Sequence, residues 1–233
     1  MTSNLFVKRM IMTVITVVVL AAGLHAQSTF FAEKAGMVMT YVNNDAKGKA
    51  TGYQVMTVKD VKGSGGNMTI SYSTEILDKN RKAMKNSPGP VDFEVSVKDG
   101  VLILDMSQMI PAQLSRETGI QIKFSGLPME LPNNLQPGQS IKDANVTMDM
   151  GIMKTTFNLT DGQCLAIEDV TVPAGTFKSH KIEQTVTATI LRMKTTSKTV
   201  RWYAPGIGAV KTETYDSKGK QTGSIVLLEL TGN

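Results

Sequence analysis

The sequence predicts a mainly β protein, folded as a curved antiparallel β-roll or partial barrel with at most one short helix. Two observations carry that prediction. Apolar and polar residues alternate at period two through most of the chain, in β-branched runs broken by Gly, Asn, Asp and Lys. One run, "KIEQTVTATILRMK", extends to about Thr195. That is well past the usual strand of about five or six residues, and a strand of such length bends its sheet towards closure.

The chain begins with a different pattern. Lys8 and Arg9 precede an uncharged run from Met10 to Leu24 that ends at "HAQ", the order of a secretory signal peptide. The run is shorter than the roughly 20 residues a membrane span needs, and small Ala26 marks a cleavage point. Residues 1–26 are therefore expected to be removed and residues 27–233 to form a single β-rich domain. Loss of Lys8 and Arg9 lowers the net charge from +5 to +3. The remaining lysines sit at turns such as "DAKGK" and "DSKGK", not in a stripe interleaved with aromatics, which argues against nucleic acid as a partner. The one cysteine, Cys164, rules out an internal disulfide and lies far from the cleavage point where an exported lipoprotein carries its lipidated cysteine. The expected location is the periplasm or the exterior, without a lipid and without stable membrane insertion.

From there the elements follow in order. "GMVMTYVNN" puts Met37, Met39 and Tyr41 on one strand face, "NNDAKGK" turns the chain into "ATGYQVMTVKDVK", and "GSGGN" turns it again into "MTISYSTEILD". These are three meander strands. "VDFEVSVKDGVLILD" is a hairpin around Asp99-Gly100, where Gly tolerates positive φ. Ser107 to Glu117 is the one helical stretch, kept short by Pro111. The Pro-rich segment from Ser125 to Ala144 reads as a long surface connection. Strands resume in "NVTMDMGIMKTTFNLTDG" and in the long run, where Ile182, Val186, Ala188 and Ile190 face one way and Thr185, Thr187 and Thr189 the other. "RWYAPGIGAVK" then reads as a corner between strands, with Trp202 and Tyr203 on opposite faces. "DAKGKATG" and "DSKGKQTG" share one turn chemistry, with Gly48 and Gly219 at positive φ.

Chemistry is sparse. With His25 removed, His180 is the only histidine, so zinc sites built from several His and Cys ligands and an iron facial triad are excluded. No GxSxG elbow accompanies His180, which reads as a solvent-exposed strand residue. Cys164 reads as a small buried hydrophobe, and Glu168 and Asp169 fall on opposite strand faces, unable to share a substrate. Val146, Met148 and Met150 share a face, the pattern of a core or an adaptable apolar cavity wall. No catalytic, metal or cofactor residue is assigned.

The segments Val172 to Phe177 and Trp202 to Lys211 match V-P-A-G-x-[FY] and W-[YF]-A-x-G-[IV]-G-x-[VI]-K. On these the chain resembles the TapB-like proteins (domain of unknown function 3108-like), uncharacterised exported proteins most familiar among Bacteroidota. The resemblance runs from about Gln163 to Glu229. It implies a β-rich roll in the cell envelope and supplies no activity. Its residues, Pro173, Gly175, Phe177, Trp202, Tyr203, Pro205, Gly206 and Gly208, are of turn and packing type. The functional expectation is a non-enzymatic envelope protein that binds an apolar small molecule or an envelope protein. A hydrolase with an unrecognised site and a structural or assembly component are the alternatives.

Overall fold

The structure, a computed structural model, describes residues 28–84, 87, 89–105, 123–151 and 153–232. Among them there is no helix. The strands are β1 (Val38–Asp45), β2 (Ala50–Ser64), β3 (Asn67–Asp78), β4 (Val91–Lys98), β5 (Val101–Leu104), β6 (Lys123–Leu127), β7 (Met129–Pro132), β8 (Ala144–Asp149), β9 (Lys154–Val172), β10 (Gly175–Ile190), β11 (Met193–Ala204), β12 (Gly208–Asp216) and β13 (Gln221–Thr231). They form one antiparallel sheet in the order β6-β8-β9-β10-β11-β12-β13-β1-β2-β3-β4-β5-β7.

Two meanders are visible in that order, β1–β5 and β8–β13. They join first where the terminal strands pair, Val38 opposite Thr231 and Asp45 opposite Gly223. The second join is less usual. The sheet's two edge strands, β6 and β7, are separated in the chain only by Pro128. β6 pairs with β8 (Phe124 opposite Met148) and β7 with β5 (Leu131 opposite Leu102). One run of chain therefore holds one side of the sheet with its first half and the other side with its second, and the sheet closes into a barrel with an interrupted wall. Pro128, which has no N–H to donate, stands where the run changes partner. Gly126 lies at φ 137°, and a Cβ there would stand 2.1 Å from the Asn145 carbonyl oxygen. Only glycine lets β6 approach β8 so closely.

The upper rim is built from one repeated turn. Asp45 accepts hydrogen bonds from the N–H groups of Lys47 (2.8 Å) and Lys49 (3.0 Å), and Asp216 from those of Lys218 (2.8 Å) and Lys220 (3.0 Å). Asp78 does the same with Asn80 and Lys82, Arg81 taking the positive-φ position. Such Asx turns satisfy the tip's own backbone donors.

The lower end is plugged by the chain's first described residues. The Phe30 ring lies 4.8 Å from His180 and 5.7 Å from Tyr203, while Phe31 meets Tyr72 at 5.0 Å on the opposite wall. The Gly206 N–H donates to the Thr29 carbonyl at 2.7 Å. This plug overturns the expectation of an exposed His180: the residue is 5% exposed, because Phe30 covers the face of β10 on which it stands.

Two further expectations change. The long run does not continue to Thr195: β10 ends at Ile190, and the chain turns at Leu191 and Arg192 into β11, with Leu191 at φ 58°. The expected surface connection from Ser125 to Ala144 contains most of β6 and all of β7, and its remainder packs on β9 through hydrogen bonds between the Gly138 N–H and the Cys164 carbonyl (2.8 Å) and between the Ile141 N–H and the Gly162 carbonyl (2.7 Å). The leader 1–26 and the expected helix Ser107 to Glu117 lie outside the described residues.

Candidate functional site

The interrupted wall opens onto a cavity of about 560 Å³. Its lining comes from both sides of the seam: Leu104 of β5, Phe124 and Leu127 of β6, Met129 of β7, Val146 of β8, Phe157 and Leu159 of β9, and Val186 of β10. Register makes these residues one surface. Val146 stands opposite Phe157, and Leu159 stands opposite both Ala144 and Val186, so period-two alternation sends them all inward. Of the methionines expected on such a wall, neither Met148 nor Met150 lines the cavity, although Val146, which shares their face, does. Met129 supplies the thioether instead.

Arg201 of β11 is the one cationic residue in this lining and Asp105, just past β5, the one acidic residue. Among the described residues it forms no ion pair. Its guanidinium lies beside the buried Tyr203 hydroxyl: burial pushes the Tyr203 phenol up, and Arg201 opposes that rise. Burial, with a smaller contribution from Tyr203, pushes Tyr41 up as well, so both phenols remain neutral hydrogen-bonding groups. Gln184, one inward position below Val186, is 1% exposed, and neither its amide nitrogen nor its oxygen has a partner among the described residues. An unmet buried amide costs about 1–3 kcal/mol.

A second depression, of about 620 Å³, lies on the outer face of β10, β11 and β12. It is chemically self-contained. Trp202, 6% exposed, is flanked by Lys181 and Lys211, whose ammonium groups lie 5.2 and 4.7 Å from its ring centroid, and its indole N–H donates to Glu168 at 2.7 Å. Lys198 pairs with Glu183 at 2.9 Å and Lys211 with Glu213 at 2.8 Å. Burial raises Glu213, but Lys211 and the Tyr215 hydroxyl outweigh it and hold the carboxyl below its ordinary range. These charges meet one another across the outer face.

The other sequence-marked residues sit at the lower end. Gly175, Gly206 and Gly208 have φ of 139°, 73° and 110°. Pro173 and Pro205 flank these turns, Phe177 packs within 3.6 Å of where a Gly175 Cβ would stand, and Tyr203 faces Phe30. None of the eight marked residues lines the seam cavity. Cys164 is fully buried, and burial pushes its thiol up, away from reactivity. Among the described residues no cluster of His, Cys, Asp and Glu could hold a metal ion. Sequence reasoning missed Arg201, although its position between Thr199 and Tyr203 on the inward face was a readable signal.

The model of one protein family matches residues 34–227 of this chain. The chain belongs to the DUF3108-like family. No curated protein is similar enough in sequence to count as a relative. Two crystal structures share the DUF3108-like chain's fold. One, from Bacteroides fragilis NCTC 9343, is described as a "putative exported protein with YmcC-like fold"; it has a TM-score of 0.70 and 20% identity, over 88% of this chain and 100% of the other. The second, described as a "putative lipoprotein" from Parabacteroides distasonis ATCC 8503, has the same score and identity, over 88% and 99%.

Proposed function

We propose that the protein is exported and binds, without catalysing a reaction, a ligand that has an apolar chain and an acidic head. The observation that carries this reading is Arg201, which forms none of the ion pairs seen among the described residues, in a cavity whose lining is mainly aliphatic and aromatic and holds Asp105 as its one acid. A volume of about 560 Å³ lies within the range of small-molecule sites. An arginine in such surroundings gains most from a carboxylate or phosphate, whose charge-assisted hydrogen bonds strengthen where water is excluded. The seam supplies the entry, because the wall is unpaired beside β6 above Pro128.

Export is supported by the basic, apolar and small-residue order of residues 1–26 and by the description of the B. fragilis relative. We take it to proceed without an N-terminal lipid: the P. distasonis relative is described as a lipoprotein, but the one cysteine here is buried in β9. Intact mass and terminal sequencing of exported material should give a start at Gln27 and an unmodified mass. A retained Met1 or an added diacylglyceryl group overturns this.

The hydrolase alternative needs a nucleophile beside His180, whose ring instead lies against Phe30 and close to Tyr203. The binding test uses the fluorescent fatty acid parinaric acid. Arg201→Met should weaken its binding about tenfold, the scale of one charge-assisted contact, and leave binding of the corresponding alcohol unchanged. Val146→Trp should abolish both. Unaltered affinity in either variant sinks the reading.

A further inference from the structure

The hairpin between β10 and β11 carries its hydrophobic residues on the outside. Ile190 is 40% exposed, Leu191 64% and Met193 70%, three large apolar side chains within four residues at the tip of a turn. The turn is also strained. Leu191 sits at φ 58°, a conformation that suits glycine or asparagine and disfavours a leucine. An exposed leucine in a position where glycine would serve the fold better is not explained by folding.

The tip also projects beyond the β12 ladder. The last β12 residue paired to β11 is Asp216, opposite Ser197; on the other side β10 stays paired to β9 as far as Ile190 opposite Thr155, while Met193 to Thr196 extend past the end of the β12 ladder. At about 3.3 Å per residue that is roughly 13 Å. Around the apolar tip stand exposed cations: Arg192 and Lys194 on the hairpin itself, Lys154, whose carbonyl accepts the Leu191 N–H, and Lys123 at the head of β6. Among the described residues, Asp149 is the acid paired in register with Lys154 and Lys123, and it is engaged by the Gly151 N–H at 2.8 Å. None of the four cations forms an ion pair among the described residues.

We propose that this hairpin docks the protein on an anionic phospholipid surface, with Ile190, Leu191 and Met193 entering the interface and Arg192, Lys194, Lys154 and Lys123 meeting the headgroups. Apolar groups ringed by basic ones are the combination that holds a protein at a lipid interface without spanning it, the apolar area and the charge attraction adding. An acidic protein groove would offer charge complementarity too, but it would need a preformed pocket for three apolar side chains, whereas a bilayer accommodates them without one. Docking this way also sets the seam cavity towards the membrane: Phe124, in its lining, stands in register through Met148 and Thr155 with Ile190. The proposal does not depend on what the cavity binds.

Co-sedimentation with vesicles tests it. Wild-type protein should pellet with vesicles of phosphatidylglycerol and phosphatidylethanolamine and remain in solution with phosphatidylcholine alone. The triple variant Ile190→Ser, Leu191→Gly, Met193→Ser should lose at least about tenfold in partitioning. Arg192→Gln and Lys194→Gln should each lose about fivefold on the anionic vesicles. Leu191→Gly alone should melt no lower than wild type, since glycine relieves the left-handed backbone, so loss of binding cannot be attributed to unfolding. Val146→Trp, which fills the cavity, should bind vesicles as wild type does. Three results overturn the proposal: no wild-type pelleting on anionic vesicles, a triple variant that pellets undiminished, or a Val146→Trp variant that does not pellet. The tip variants should still bind parinaric acid in vesicle-free solution, so a failure of docking and a failure of the cavity reading are told apart.

Discussion

The wall made by β9 to β13 and the seam made by β5 to β8 are parts of one sheet held to different standards. β10 pairs with β9 from Gly175 to Ile190 and with β11 from His180 onward, so that both edges of its backbone are satisfied along most of its length. β5 and β7 share only four residue pairs and β6 and β8 only five. Ladder length decides how much cooperative stability a strand inherits, and local opening concentrates where ladders are short. The long wall supplies the rigid frame, and the seam, next to the cavity, is where local opening should concentrate.

Breaking the frame should give the largest effect. Trp202→Ala removes an aromatic that is almost wholly buried between two lysines and hydrogen-bonded to Glu168, and should destabilise by about 3–5 kcal/mol. For a domain of this size that lowers the melting midpoint by roughly 6–20 °C. A midpoint within a degree of wild type would show that the outer face contributes little to the frame.

Breaking the seam should do less to the whole and more to one place. Gly126→Ala forces a Cβ into the Asn145 carbonyl at a left-handed backbone position, and should cost about 1–3 kcal/mol. Amide exchange should accelerate in β6 and β8 and stay unchanged in β10 and β11. Uniform acceleration would mean that seam and frame open together.

The smallest effect is one of pH and belongs to the plug. Burial lowers the His180 pKa, so the unfolded chain takes up a proton as pH falls below about 6.5 while the folded chain still resists it. Stability should therefore be full above that value and decline as pH drops towards the folded pKa. Denaturant midpoints of His180→Phe should lose this slope between pH 7 and 5, and an unchanged slope would assign it to another group.

The sequence made the regular frame legible and hid its exceptions. The Asp-x-Lys-Gly-Lys tips could be read because their hydrogen bonds are local, each aspartate binding residues two and four ahead. The β10–β11 turn could not, since Leu191 and Arg192 carry no turn chemistry and the strand pattern runs through them. Gly126, Pro128 and Pro132 disguised β6 and β7 as loop, although the short pairing and the change of partner are what require them. His180 read as exposed because the sequence shows no partner beside it. Its cover comes from Phe30, far earlier in the chain, a contact that no local pattern encodes.

The pairing of β1 with β13 has a consequence for how the molecule is made. Every other join in the two meanders links strands that are neighbours in sequence and can form as soon as both are present, at little loop-closure cost. The β1–β13 ladder cannot form until the final strand has been synthesised and, in an exported chain, delivered. The topology therefore favours a late clasp, in which the eleven-residue β13 fastens two meanders that can each pair from strands adjacent in sequence.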